Sequence, residues 1–405
     1  MKLKKYFLVY HGLPKNVYFV CLNRLFSSLI IFVYPLLTNY ITLKLGATDA
    51  EAGGFVSIAL LVNLFSIFIG GFLGDKYSAK NLLLFGQFAL SICSIACSLF
   101  IGKSIVVAFL IILSGIFGFT NPLYNVLILD NSKDDLNIKK RGFSLLYFFL
   151  NLGVAIGPLL SGMWFEKLLP LYFLSVGISN LVMAVLFLAF YKQNRSTTKT
   201  PKKHEEKLSK IFVETFKNNH LAIKTILFSI LNYFIYIQIS YGIPIQLNDW
   251  FHDGPKIYGL LMLINAILVL TLTPIISGIT HNLNPIFLMS IGSLFYMLSF
   301  LSVLLFSGFV ASILFISICT IGEILIQTNI SLVVSILSEK SMEGRMNSYL
   351  LIISSFGNIL GTSMFGFLIT QTSLSIGWLA ITILSVIYAG LMYQIYLASK
   401  RKKHI

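Results

Sequence analysis

Charge is scarce in this chain, and negative charge scarcer still. Only 11% of the 405 residues are charged, 15 Asp and Glu against 30 Lys and Arg, while 57% are hydrophobic and the mean hydropathy is +0.85. So few charges cannot cover that much apolar surface in water, which excludes a soluble globular protein and points to a polytopic membrane protein. Cysteine is also rare. Cys21, Cys93, Cys97 and Cys319 all fall inside apolar runs with no metal-binding spacing, so they read as small buried hydrophobes, with no metal site and no disulfide framework. The six histidines fall in loops or near chain ends, so nothing suggests a cluster of catalytic groups at membrane depth. There is no phosphate-cradling G-x-x-x-x-G-K-[ST] loop, which leaves an ion gradient rather than a nucleotide as the energy source. The first apolar run is too long for a signal-peptide core and reads as a first spanning helix.

Long apolar runs are what the sequence has in abundance. A span needs about 20 apolar residues. Twelve candidates lie at roughly 17–42, 52–74, 81–101, 104–130, 142–164, 170–191, 221–247, 257–279, 285–306, 310–337, 345–370 and 374–397. They predict an all-α membrane protein of two six-helix halves, 1–191 and 221–405, joined by the polar segment 192–220 as a cytoplasmic linker. An even span number puts both termini on one side. That side collects Lys2, Lys4, Lys5, Lys15, Lys76, Lys80, Lys133, Lys139, Lys140, Arg141, the linker, Lys340, Arg345 and the basic tail, against Lys44, Lys103, Lys167 and Lys256 opposite. The basic excess therefore marks the cytoplasmic face of a cell membrane and calls for no nucleic acid partner. The Lys- and Asn-rich polar segments, with many Ile and Phe, suggest a bacterial source.

The two halves repeat. "RGFSLLYFFLNLGVAIGPLLSG" from Arg141 aligns with "RMNSYLLIISSFGNILGTSMFG" from Arg345, so that Arg141, Gly153 and Gly157 match Arg345, Gly357 and Gly361 at an offset of 204 residues. The same offset carries Gly118 to Gly322 and Asn125 to Asn329. Five matches in one register indicate a parallel repeat, whose interface near the midplane is a natural binding site. Small residues four apart also let helices approach closely, and packing is the main role expected of these glycines.

Between the second and third spans stands "GGFLGDKYSAK", with Gly70, Asp75, Lys76 and Lys80 in the pattern of the cytoplasmic loop of the major facilitator superfamily. The fifth span adds G-x-x-x-G-P-x-x-x-G, formed by Gly153, Gly157, Pro158 and Gly162, where a fixed kink is expected. This element resembles the antiporter motif of the superfamily's exporters. "NVLILDNS", "IQISYGIPIQL" and "TIGEILIQTNIS" resemble its drug:proton antiporters, the LmrP-like multidrug exporters. The resemblance implies a monomer that rocks two halves around a small-molecule site, with Asp75 helping to lock one state and Asp130 in relay with its loop. It also implies proton and drug handling at Glu323 and no cofactor beyond the proton. Gln238 and Tyr241 stand where such exporters carry an acid, so stoichiometry and cation preference do not transfer.

Read from the residues alone, Glu323 is the outlier. Every other acid lies in a loop or near a span end, whereas Glu323 lies near the midplane of the tenth span. An ionised carboxylate there costs about 2.5–3.5 kcal/mol on insertion scales. A carboxyl that exchanges protons between two aqueous faces justifies that cost, and a protonated acid bonded to a neighbouring helix is the structural alternative. Arg24, about two turns into the first span, either snorkels to the cytoplasmic face or pairs with a carboxylate or an anionic substrate group. Asn23, Gln238, Tyr241 and Asn329 are cavity contacts or interhelical bonds. The expected function is proton-coupled export of apolar or cationic compounds. The alternatives are a lipid or glycolipid flippase and a proton-coupled metabolite or peptide importer. Against peptide uptake, the first span lacks the paired glutamates of proton-coupled peptide carriers.

Overall fold

The computed structural model describes residues 11–30, 33–132, 135–191, 219–339 and 343–402, and among them every regular element is helical. The side chains of Asp75, Leu136, Asn137, Lys140, Lys402 and residues 343–345 lie outside that description, as does nearly all of the 192–220 linker. Twelve helical segments are long and apolar enough to cross a bilayer: Lys15–Lys44, Asp49–Gly74, Ala79–Leu99, Ile105–Asp130, Arg141–Trp164, Leu169–Phe190, His220–Trp250, Gly254–Thr280, Pro285–Leu305, Gly308–Leu337, Met346–Gln371 and Leu374–Arg401. They are spans one to twelve below, and they match the expected twelve with end shifts of a few residues.

Their outer faces carry Phe65, Phe72, Phe85, Ile92, Ile279 and Phe367, each more than half exposed. Rows of bare aromatic and aliphatic side chains belong against lipid, not water.

Three spans predicted as continuous helices are interrupted. Span one is helical over Lys15–Ser28 and again over Val33–Asn39, where it passes into a π-helical turn at Tyr40–Lys44. Span seven changes to a 3-10 turn at Ile237–Ile239 before Gly242–Trp250. Span ten breaks between Gly308–Gln327 and Ile330–Leu337. A break frees backbone groups that lipid cannot satisfy, so nearby side chains must. At the first, Ser28 donates back to the Arg24 carbonyl at 2.6 Å, and Tyr172 donates to the Leu29 carbonyl at 2.7 Å. At the second, Gln238 Nε2 donates to the Phe234 carbonyl at 3.0 Å. At the third, Thr328 and Asn329 donate to the carbonyls of Ile324 and Leu325 at 2.6 and 2.9 Å. Side chains that bond back to their own helix compete with its ladder, which is why periodicity alone missed the breaks.

The chain folds as two compact units. The first comprises Met1–Thr48, Ile58–Thr198 and Asp253–Ala266; the second comprises Asp49–Ser57, Lys199–His252 and Ile267–Ile405. The grouping differs from a division at the linker in two places, because the first turns of span two group with the second unit and the first half of span eight with the first. Small residues allow both. Ser57 Oγ lies 2.7 Å from Thr362 Oγ1 and 2.6 Å from Ser363 Oγ. A Cβ on Gly259 would meet the Pro158 carbonyl at 2.6 Å.

The core of the first unit includes Val17, Cys21, Leu83, Leu127, Leu145 and Phe187. In the second unit Trp378 stacks on Phe300 at 5.6 Å and lies 5.0 Å from Phe365, and its indole N–H donates to Gln246 at 2.6 Å. A buried indole needs such an acceptor. All four cysteines are buried and free, as their apolar surroundings imply.

The repeat is visible in the packing. Cβ atoms on Gly153 and Gly157 would meet the Leu25 and Leu29 carbonyls at 2.8 and 2.6 Å. On Gly357 and Gly361 they would meet those of Ile230 and Phe234 at 2.6 and 2.9 Å. Span five thus lies against span one as span eleven lies against span seven, with the partner positions 205 residues apart. Gly118 and Gly322 keep sequence register but not packing: the first faces Asn63 of span two, the second Gly292 of span nine.

Candidate functional site

Among the described residues each unit contains one charged group well inside a span, and the two sites are built differently. In the second unit Glu323 lies four residues before the Gly308–Gln327 helix ends. Gly322 beside it brings span ten close to span nine, where a Cβ would lie 2.7 Å from the Gly292 carbonyl. Tyr236, the last residue of span seven's first helix, donates its hydroxyl to Glu323 Oε1 at 2.8 Å. The Tyr236 ring centroid is 6.5 Å from that of buried Tyr296. The carboxylate is half-buried, with the Tyr236 phenol on one of its oxygens.

In the first unit Arg24 is 3% exposed. It does not snorkel. Its Nη2 donates to Asn121 Oδ1 at 2.7 Å, and its guanidinium carbon sits 4.9 and 4.7 Å from the ring centroids of Phe117 and Tyr124. Nη1 is buried without a hydrogen-bond partner. Asn23 joins the same group, accepting the Tyr124 hydroxyl at 2.7 Å, and Ser27 Oγ lies 2.7 Å from that hydroxyl. An open cavity of about 240 Å³ adjoins Arg24, lined by polar Asn121, Tyr124, Asn125 and Tyr147 and by apolar Phe143, Leu146 and Leu150.

The remaining candidates have more local surroundings. Buried Gln238 ties span seven to span eleven by donating to the Gly361 carbonyl at 3.1 Å. Tyr241, fully buried between Gly53 and Gly366, donates to the Asp49 carbonyl. Asn329, in the break of span ten, donates to the Leu325 carbonyl of the preceding helix and to neighbouring Thr328 at 3.1 Å. Asp130 is the exposed last residue of span four's helix.

In the loop motif, Gly70 lets span two approach Phe119 of span four. Lys76 lies over the Phe72 ring at 4.0 Å. Lys80 donates to the Tyr191 carbonyl at 3.0 Å, a cation at the C-terminal end of span six. The side chain of Asp75 is outside the described residues. The helix of span five runs through Pro158 to Trp164, and Gly162 permits close approach to Pro255.

Sequence reasoning missed Tyr236, Asn121 and Tyr124. The dipeptide Asn121-Pro122 in the middle of an apolar span was the available signal for Asn121, whereas nothing in sequence separates Tyr236 from the many tyrosines at membrane interfaces.

Residues 19–362 match the model of the Major Facilitator Superfamily. The chain belongs to the major facilitator superfamily. Its members are transporters, and their six-span halves are parallel repeats with binding sites near the bilayer midplane. YqjV of Bacillus subtilis (strain 168), an uncharacterised MFS-type transporter, is 25% identical over 339 residues, covering 81% of this chain and 79% of that protein. Among solved structures, a POT family transporter in complex with a thioalcohol-conjugated peptide is similar at TM-score 0.76 and 17% identity, over 96% of this chain and 97% of that one. A peptide transporter POT in complex with sulfate reaches TM-score 0.81 at 17% identity, over 96% and 95%. At that identity the likeness is one of fold.

Proposed function

We propose that this superfamily member is a proton-coupled secondary transporter that exports apolar or cationic organic compounds in exchange for protons, with Glu323 as the proton-carrying group. One observation carries the reading. Glu323 is a mid-span carboxylate hydrogen-bonded by Tyr236 within a turn of a helix break. Such a group takes up a proton from the face to which the cavity opens, stays neutral while access changes sides, and releases the proton when the cavity opens to the other face. A cationic substrate competing for the ionised form would make the two fluxes opposite. The lysine and arginine asymmetry supports a multi-pass protein of the bacterial cell membrane with both termini cytoplasmic.

The test is dye efflux in inside-out vesicles under an imposed pH gradient, comparing the native chain with Glu323→Gln. Gradient-driven dye movement that disappears in the variant supports the reading. Native protein that is folded but moves no dye overturns the multidrug cargo. Undiminished transport by Glu323→Gln removes Glu323 from the coupling step.

One observation favours a second reading, in which the cargo is a metabolite, peptide or lipid bearing a negative group: the buried guanidinium of Arg24 beside an open cavity.

A further inference from the structure

Arginine keeps its charge at any accessible pH, and a buried guanidinium presents five N–H donors in a rigid fork. Among the described residues no carboxylate pairs with Arg24. It meets the neutral amide of Asn121 and the faces of Phe117 and Tyr124. These rings offset part of the desolvation of the cation, but they leave Nη1 buried and unbonded. A purely structural arginine would have its donors met by carbonyls or an acid, as buried polar groups are in general. Instead, the residue lines a cavity of about 240 Å³, room for a small head group together with water.

The repeat adds a second argument. Counterpart positions in spans one and seven lie 205 residues apart, which pairs Arg24 with Ser229. Ser229 is fully buried and donates to the Thr225 carbonyl of its own helix at 2.7 Å. The fold at this position is therefore satisfied by a serine, and packing of the span does not require a cation.

We propose that the Arg24 cavity is a binding site for an oxyanion head group, a carboxylate or phosphate, carried on an apolar body. The charge would sit at the guanidinium, where the unmet N–H of Arg24 and the amide of Asn125 supply donors. The body would lie along Phe143 and Leu150. An oxyanion accepts two parallel bonds from one guanidinium, a match an ammonium or a neutral amide cannot make. The site rests on the second of the two readings above, a cargo bearing a negative group, and not on proton coupling.

The test is calorimetric titration of the purified full chain in neutral-detergent micelles with hexanoate, hexyl phosphate and hexylammonium. Both anions are expected to bind the native protein, and Arg24→Gln to weaken them at least about tenfold while hexylammonium is unchanged. Leu150→Trp fills the cavity without touching the Arg24–Asn121 bond. It must also weaken hexanoate, so the proposal stays testable if Arg24→Gln does not fold. No anion binding to native protein at millimolar concentration overturns the site, as does equal anion affinity in the folded variants. Adding phosphatidylglycerol to the micelles separates the sources: loss of hexanoate binding assigns a lipid head group, and unchanged binding a soluble cargo. No pH gradient enters the measurement. An uncoupled protein would still bind hexanoate, and a coupled protein without this site would not.

Discussion

Tyr236 donates its hydroxyl to Glu323 across 2.8 Å, joining the end of one broken helix in span seven to the last turn before the break in span ten. Tyr236 is the last residue of its helix and Glu323 lies four residues before the end of its own, so the bond joins two points close to where the backbone turns. Changes in either break would move the phenol relative to the carboxylate.

Tyr236→Phe keeps the ring near Tyr296 and deletes the donor. A hydrogen bond to a charged group contributes about 1.5–3 kcal/mol. Gradient-driven transport is expected to fall about tenfold or more, with a loss of stability no larger than that contribution, as measured by vesicle flux and by unfolding in detergent. Native flux in Tyr236→Phe would show that the bond has no part in coupling.

Gly157→Ala and Gly361→Ala should each destabilise the protein by about 1–3 kcal/mol, since each new methyl meets backbone that cannot yield. Gly390→Ala is the control, because nothing lies within 4 Å of the added carbon. There the change should be neutral or stabilising by up to about 1 kcal/mol through helix propensity. Unfolding curves of the three variants decide it, and equal midpoints would show that the spans part freely.

Asn121→Leu removes the acceptor of Arg24 and leaves a buried guanidinium with only ring faces around it. A loss of about 1.5–3 kcal/mol is expected in thermal or denaturant unfolding. Asn121→Asp supplies an internal carboxylate instead. It should keep the fold while abolishing hexanoate binding, and retained binding would argue against Arg24 as the anion's partner.

Lys80→Met should lower stability by about 0.3–1 kcal/mol, because Lys80 is the cation at the Tyr191 end of span six. Lys76→Met should leave stability unchanged, since Lys76 is exposed and rests on Phe72 of its own helix. Unfolding midpoints at low and high salt separate the two, and an equal effect of both would assign the loop lysines one shared electrostatic role.

Much of the architecture was legible from composition and spacing. Apolar runs of span length stand out against so few charges, and the 204-residue offset of Gly153 and Gly157 to Gly357 and Gly361 anticipates two helix pairs that pack alike. The helix breaks were not legible. Ser28, Gln238 and Asn329 look like ordinary small or polar residues in a span, and side chains that bond back to a carbonyl four residues earlier occur in unbroken helices too. Nor was the sharing of spans two and eight between the units, which depends on what Ser57 and Gly259 meet.

By itself the sequence determined that this chain is a twelve-span membrane protein of repeated halves, and which two side chains, Arg24 and Glu323, carry charge at depth. Dehydration makes those placements costly wherever the helices lie, so hydropathy alone exposes them. Only the tertiary structure decided what each charge faces: a phenol for Glu323, and an amide, two rings and open space for Arg24. Hydrogen bonds and cavities depend on distances of a few ångströms between helices far apart in the chain, and no local pattern of residues encodes them.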